Sequence, residues 1–172
     1  MIEVRLAGTG DIPAMVDIYA AVAAEGLWIA AEAPIDRERR ALQFAATIDG
    51  EGDAFVAVAD GEVVGHLGLH RSGRGAVDLG MLVADRWRGR GVGTALLAKA
   101  IEWARAEPDV HKLALEVWPH NGAARALYRR LGFVDEGRLR RQYRRRSGEL
   151  WDAIVMGLVV DETSPGSPYE DA

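Results

Sequence analysis

The stretch Leu79-Gly80-Met81-Leu82-Val83-Ala84-Asp85-Arg86-Trp87-Arg88-Gly89-Arg90-Gly91-Val92-Gly93-Thr94 decides how this chain is read. An apolar run ends at Val83, glycines follow, and a long helical pattern opens behind them. Glycines let backbone N–H groups converge on an anion, and a helix N-terminus adds partial positive charge. Arg88 and Arg90 bring further charge, so the loop suits a pyrophosphate. A P-loop would need Gly-Lys followed by Ser or Thr, and the chain has none. A dinucleotide fingerprint counted from Gly89 and Gly91 would need a glycine at Thr94 and would usually follow the first strand. What remains is Arg-x-x-Gly-x-Gly at Arg88, Gly91 and Gly93, after a strand in mid-domain.

Outward from this loop, helical spacing of Val92, Leu96, Ala100 and Trp103 predicts a helix over Gly91 to Ala106. Ala76 to Val83 is the strand before it, and Lys112 to Trp118 the strand after, stopped by Pro119. Asn121 caps a further helix with a stripe of Ala124, Leu127 and Leu131 and a C-terminal Gly132. Phe133 to Tyr143 and Glu149 to Val160 then pair around Ser147-Gly148. Upstream, Met1 to Ala7 is a strand. Thr9 and Asp11 cap a helix to about Ala24, with Ile12, Met15, Val16 and Tyr19 as its buried stripe. Asp36 caps a second helix ending near Asp49-Gly50. Ala54 to Ala59 and Glu62 to His70 form a hairpin on Asp60-Gly61. The order β-α-α-β-β-β-α-β-α-β-β makes an α/β fold, a mixed sheet covered by helices, over residues 1–160. Residues 161–172 hold prolines and acidic groups with little to bury, and are expected to be a loose tail.

The 172 residues allow one domain with a real core, and 49% hydrophobic with 27% charged residues is ordinary for a water-soluble protein. No apolar run approaches a membrane span and no leader precedes the first strand. Cysteine is absent, which excludes disulfides, thiol catalysis and Cys-ligated zinc and fits a cytoplasmic protein. A net charge of −5 argues against nucleic-acid binding. Charge does concentrate in Arg138, Arg140, Arg141, Arg144, Arg145 and Arg146, either a solvated hairpin or a patch for an acidic partner. His66, His70, His111 and His120 show no metal-ligand spacing, so no metal is expected. His66 and His70 share a strand face, best explained as polar sheet surface.

Leu79 to Thr94 resembles the coenzyme A pyrophosphate loop of the GNAT superfamily of N-acetyltransferases. Leu115 to Phe133, with Glu-Val-Trp-Pro-His-Asn, Ala-Leu-Tyr and Leu-Gly-Phe, resembles the family's second conserved block. The resemblance implies the GNAT fold with two splayed central strands, and acetyl-coenzyme A as co-substrate. It implies that the pantetheine arm lies along Met81, Leu82 and Val83, that the pyrophosphate sits on Arg88, Gly89, Arg90, Gly91, Val92, Gly93 and Thr94, and that Asn121 touches the arm. Tyr128 stands where the family's thiolate-protonating Tyr stands, and a phenol is a plausible donor there.

Glu116 is the candidate base. It points away from Leu113, Leu115 and Val117, beside Trp118, where partial burial would raise its basicity. Its placement before Tyr128 also matches the proposed base of the ribosomal-protein enzyme. Asp78 on the facing strand is the alternative base. For the acceptor, the two ends of the chain point differently. Asp152 to Leu158 resembles the bacterial ribosomal-protein N-terminal alanine acetyltransferase, whereas the irregular stretch Glu25 to Asp36 resembles small-molecule enzymes. In that stretch Glu25, Trp28 and Glu32 could hold a cationic amine. The expected function is acetyl transfer to a small primary amine such as an amino acid. A peptide N-terminus and a non-catalytic coenzyme A sensor are the alternatives. Whether the chain forms a homodimer stays open.

Overall fold

Asp60 and Gly61 both take positive φ, 52° and 80°. That turn matches the twist of the flanking strands and folds β2 (Gly52–Ala59) onto β3 (Glu62–Arg71). β1 (Ile2–Leu6) pairs antiparallel with the free edge of β2, and β4 (Ala76–Val83) with β3. The coordinates are a computed structural model and describe residues 1–163, 165 and 166. Ser164 and residues 167–172 of the expected tail lie outside the described residues. The element order matches the expected one, and with β5 (Lys112–Val117), β6 (Val134–Arg144) and β7 (Leu150–Val159) the seven strands form a single mixed sheet in the order β1-β2-β3-β4-β5-β7-β6.

The helices lie on both faces. α3 (Val92–Ala106) carries β4 over to β5 (Lys112–Val117), so these two strands run parallel. Leu96, Leu97 and Ala100 of α3 are fully buried against Leu67, Val77 and Leu113 of the sheet. Burying each such Leu stabilises the fold by about 1.5–3 kcal/mol. α4 (Gly122–Arg130) joins the same face through Tyr128. α1 (Ile12–Glu25) covers the opposite face with Ile18 and Val22 against Leu82, and α2 (Arg37–Ala46) lies beside it.

The stripe of α1 is shifted from expectation. Met15, Val16, Ile18, Val22 and Ala23 are buried, whereas Ile12 and Tyr19 are only half-buried. Three residues of 3-10 helix (Thr9–Asp11) precede α1, and the expected Asp11 cap is not made: its carboxylate accepts from the Gly8 amide N–H and pairs with Arg5. In α4 the one fully buried residue is Tyr128; Ala124, Leu127 and Leu131 are only partly covered.

β4 and β5 pair only over Ala76↔Lys112, Val77↔Leu113 and Asp78↔Ala114. β4 stays bonded to β3 as far as Val83↔Gly65, and β5 to β7 (Leu150–Val159) as far as Val117↔Ile154. The sheet therefore opens between two strands that are each held from behind. Beyond Asp78, the β4 edge facing the gap has no strand partner among the described residues.

Candidate active site

The gap leads into a cleft of ≈ 730 Å³. One wall is β4 from Leu79 to Val83 with Gly89, Gly91, Gly93 and Thr94 at the start of α3; the other is Glu116, Val117, Trp118 and Asn121 with the inner side of α4. Gly89 and Gly91 sit at φ 70° and 87°, a region that side chains disfavour, and this aims the turn before Val92. At Gly93 a Cβ would meet Leu127 Cδ2 at 3.1 Å and Met81 Cε at 3.4 Å, so glycine there lets α3 close on β4 and α4. The first turn of α3 carries no side-chain cap, so its N–H groups lack an intrahelical or capping partner, and Gly91, Gly93 and Thr94 at this end line the cleft. A glycine turn, an uncapped helix start and an open strand edge on one cleft fit a ligand with a phosphate end and an amide-bearing arm.

Charge at this loop differs from expectation. Arg88 is not free for an anion: its guanidinium grips Glu25 in a bidentate pair at 2.8 and 2.6 Å and also reaches Asp85 and the Val83 carbonyl. The Arg88 partner holds the Glu25 carboxyl below its usual range, with burial opposing it. Arg90 lies over the Trp87 ring and does not line the cleft. The cation that does face the loop is Arg130 of α4, which donates to Thr94 Oγ1 at 3.0 Å and has no acidic partner among the described residues. Sequence reasoning passed over it because a basic residue in the last turn of a helix is common.

Tyr128 is buried, and burial pushes its hydroxyl up to about 12. It lines the cleft, and its hydroxyl has no hydrogen-bond partner among the described residues. Asn121 accepts from Ala124 N–H at 3.2 Å and also lines the cleft, so it caps α4 at the edge of the site. Glu116 lines the cleft but is exposed, not partly buried. It stands near the open end of the splay, where β4 no longer covers it. Its Oε2 accepts a 2.6 Å hydrogen bond from the Tyr143 hydroxyl. Burial, then Glu116 itself, pushes the Tyr143 phenol up to about 12. Asp78 is exposed at the last β4–β5 pair and does not line the cleft.

Glu25 and Glu32 do not line the cleft either. Both carboxylates are consumed in fastening the segment that carries them. Glu25 takes Arg88 and the Trp28 indole N–H; Glu32 accepts from the Arg146 amide N–H at 2.9 Å and pairs with Arg145. Trp28 alone of the three faces the cleft. The arginine hairpin supplies the other half of this fastening. Arg145 is 4% exposed, donates to the carbonyls of Gly26, Ile29 and Ala30, and lies 4.4 Å over the Trp151 ring. Arg146 donates to the carbonyls of Ala33 and Pro34. Two of the six arginines thus belong to neither a solvated hairpin nor a patch.

His66 also departs from the expected polar sheet surface. It is 4% exposed, lines the cleft beside Phe44 and is pushed down to about 4 by burial and then by the Arg40 charge. Covering by α2 could not be read from the period-2 pattern of β3. Among the described residues no group of His, Cys, Asp and Glu is placed to hold a metal, and no helix is long and apolar enough to cross a membrane.

The cleft and fold define a class. Residues 19–133 match the acetyltransferase (GNAT) family, and the chain belongs to that family of N-acetyltransferases. It is 39% identical over 109 residues to the L-amino acid N-acetyltransferase AaaT of Escherichia coli, covering 61% of this chain and 67% of that protein. It is 32% identical over 168 residues to an L-methionine sulfoximine/L-methionine sulfone acetyltransferase of Pseudomonas paraeruginosa, covering 94% and 96%. Among solved structures, a ribosomal-protein-alanine N-acetyltransferase from Brucella melitensis superposes with a TM-score of 0.83 at 31% identity, over 91% of this chain and 99% of that one.

Proposed function

We propose that residues 1–160 form a catalytic domain that binds acetyl-coenzyme A across the β4–β5 gap and acetylates a small primary amine of the amino-acid class. The observation that carries this is the unpaired β4 edge from Leu79 to Val83, lying in one cleft with the glycine turn and the Tyr128 hydroxyl. In this reading the backbone of Met81, Leu82 and Val83 holds the pantetheine amides as an added strand would. The backbone from Gly89 to Thr94 and the Arg130 side chain hold the pyrophosphate, Arg88 acting only by bracing the loop. Acetyl-coenzyme A supplies an activated thioester. The chain places the amine against it, which accounts for much of the rate. Glu116 takes the amine's proton, directly or through water, and Tyr128 holds a proton ready for the thiolate. The lack of cysteine accords with a cytoplasmic enzyme.

The amino-acid class is supported by the names of the two curated relatives and by the fastening of the 25–34 segment, which narrows the acceptor side with Trp28. The Brucella structure favours a second reading, a peptide N-terminus as acceptor. Acetyl-coenzyme A consumption measured against free amino acids and against short peptides separates them. Turnover of free amino acids is expected; acetylation of peptides alone would refute the small-amine reading. Coenzyme binding without turnover of any amine would instead leave a sensor domain.

A further inference from the structure

Three elements converge on the acceptor side of the cleft: Tyr19 from α1, Arg40 from α2 and His66 from β3. We propose that Arg40, steadied by Tyr19 and joined by His66, is a seat for a carboxylate on the acceptor, so that the enzyme selects free amino acids over amines and peptides that lack an adjacent carboxylate. This rests on the amine-acetylating reading above and names what that site recognises.

Arg40 lies with its guanidinium carbon 3.8 Å from the Tyr19 ring centroid and donates to the Tyr19 hydroxyl. The other cleft arginine of this region, Arg88, is neutralised by Glu25. Arg40 has no carboxylate partner among the described residues, although it is half-buried and faces the cleft. A cation held on aromatic rings without a counter-ion favours an anionic ligand. Beside it, His66 Nε2 is buried with no hydrogen-bond partner among the described residues, and its ring packs edge-on to Phe44 in the cleft lining. Buried polar atoms are nearly always satisfied, so an orphan lining a cleft marks a ligand contact. A carboxylate meets both needs, accepting from the guanidinium and from a neutral imidazole N–H, and it is the anionic group that a free amino acid carries beside its amine.

The placement fits the chemistry of the acceptor. His66 is paired with Leu82, one strand from the open β4 edge, a spacing of roughly 5 Å. A free α-amino acid carries its carboxylate one carbon from its amine. With the carboxylate on Arg40, the amine is delivered toward the gap where Glu116 and Tyr128 stand. A peptide N-terminus or a carboxamide offers a neutral amide at that position and leaves Arg40 desolvated and unpaired.

The test compares one free amino acid that the enzyme acetylates with its carboxamide, in wild-type enzyme and in Arg40→Gln, Arg40→Lys and His66→Gln. Wild type is expected to prefer the acid by on the order of 100-fold in kcat/KM. Arg40→Gln should raise KM for the acid by roughly 10- to 100-fold, with kcat little changed and KM for the carboxamide within about twofold. Arg40→Lys should recover part of the loss, and His66→Gln should lower the acid preference by a smaller factor. Should Arg40→Gln not fold, the lysine and His66 variants carry the same comparison. Acid and carboxamide falling in parallel, or an acid preference untouched by these variants, overturns the carboxylate seat alone. Turnover of no small amine, with coenzyme binding intact, overturns the underlying reading as well.

Discussion

The Tyr143 hydroxyl donates a 2.6 Å hydrogen bond to Glu116 Oε2, joining the β6–β7 hairpin to β5 at the cleft wall. The bond holds one oxygen of a carboxylate that is exposed in the cleft lining. If Glu116 accepts the amine's proton, Glu116→Gln lowers kcat/KM by on the order of 100-fold at unchanged coenzyme affinity, and Tyr143→Phe costs less than tenfold. Steady-state kinetics with calorimetry decide it. A Glu116→Gln enzyme within threefold of wild type would move the role to water.

Tyr128 stays protonated over the working range, because burial pushes its hydroxyl up to about 12. Its proton is therefore available at every pH at which the amine is neutral. The kcat profile should climb with pH and show no descending limb below about pH 10, and Tyr128→Phe should lower kcat by on the order of 100-fold or more across the range. A descending limb near neutrality that disappears in Tyr128→Phe would contradict this assignment.

Arg145→Ala removes a buried cation and strands the carbonyls of Gly26, Ile29 and Ala30. It should destabilise the protein by about 3 kcal/mol. Arg140→Ala and Arg144→Ala, at exposed positions of the same hairpin, should stay within about 0.5 kcal/mol. Urea unfolding of the three variants is the check; equal effects would mean that the hairpin arginines act as one surface patch. Neutralising Arg145 or Arg146 therefore cannot probe docking of an acidic partner, since it loosens the acceptor segment first.

His66 is held neutral in the fold, at about 4 against 6.5 when unfolded. The unfolded chain takes the proton first as pH falls. Stability is thus complete above about pH 6.5 and is lost on the way down to about pH 4, by about 3 kcal/mol from this residue. His66→Phe should lack that part of the acid slope. Unfolding free energies at pH 7 and pH 4.5 for both proteins measure it, and identical slopes would show that His66 is solvated.

Much of the fold was legible because its signals are local. Gly89 to Gly93 before an apolar helical period, Asp60-Gly61 between alternating strands, and Asn121 ahead of α4 each force one local geometry. The gap between β4 and β5 was legible only through family resemblance, since no residue in either strand announces where pairing stops. What stayed hidden is tertiary. Arg88 reads as an anion-binding cation until Glu25, distant in sequence, closes on it. Arg145 reads as surface until Trp151 and three carbonyls enclose it. Tyr19, Arg40 and His66 sit on three elements, and no spacing links them. Glu25 and Glu32 read as free carboxylates for the same reason: composition gives their charge but not the arginines that pair with them.

In the proposed function, the unpaired β4 edge and the glycine turn together hold the coenzyme. Backbone hydrogen exchange with and without coenzyme A tests this most directly. New protection is expected only in Gly80–Val83 and Gly89–Thr94, with amides of α1 and α2 unchanged. Protection that appears elsewhere, or none at saturating coenzyme, would contradict it.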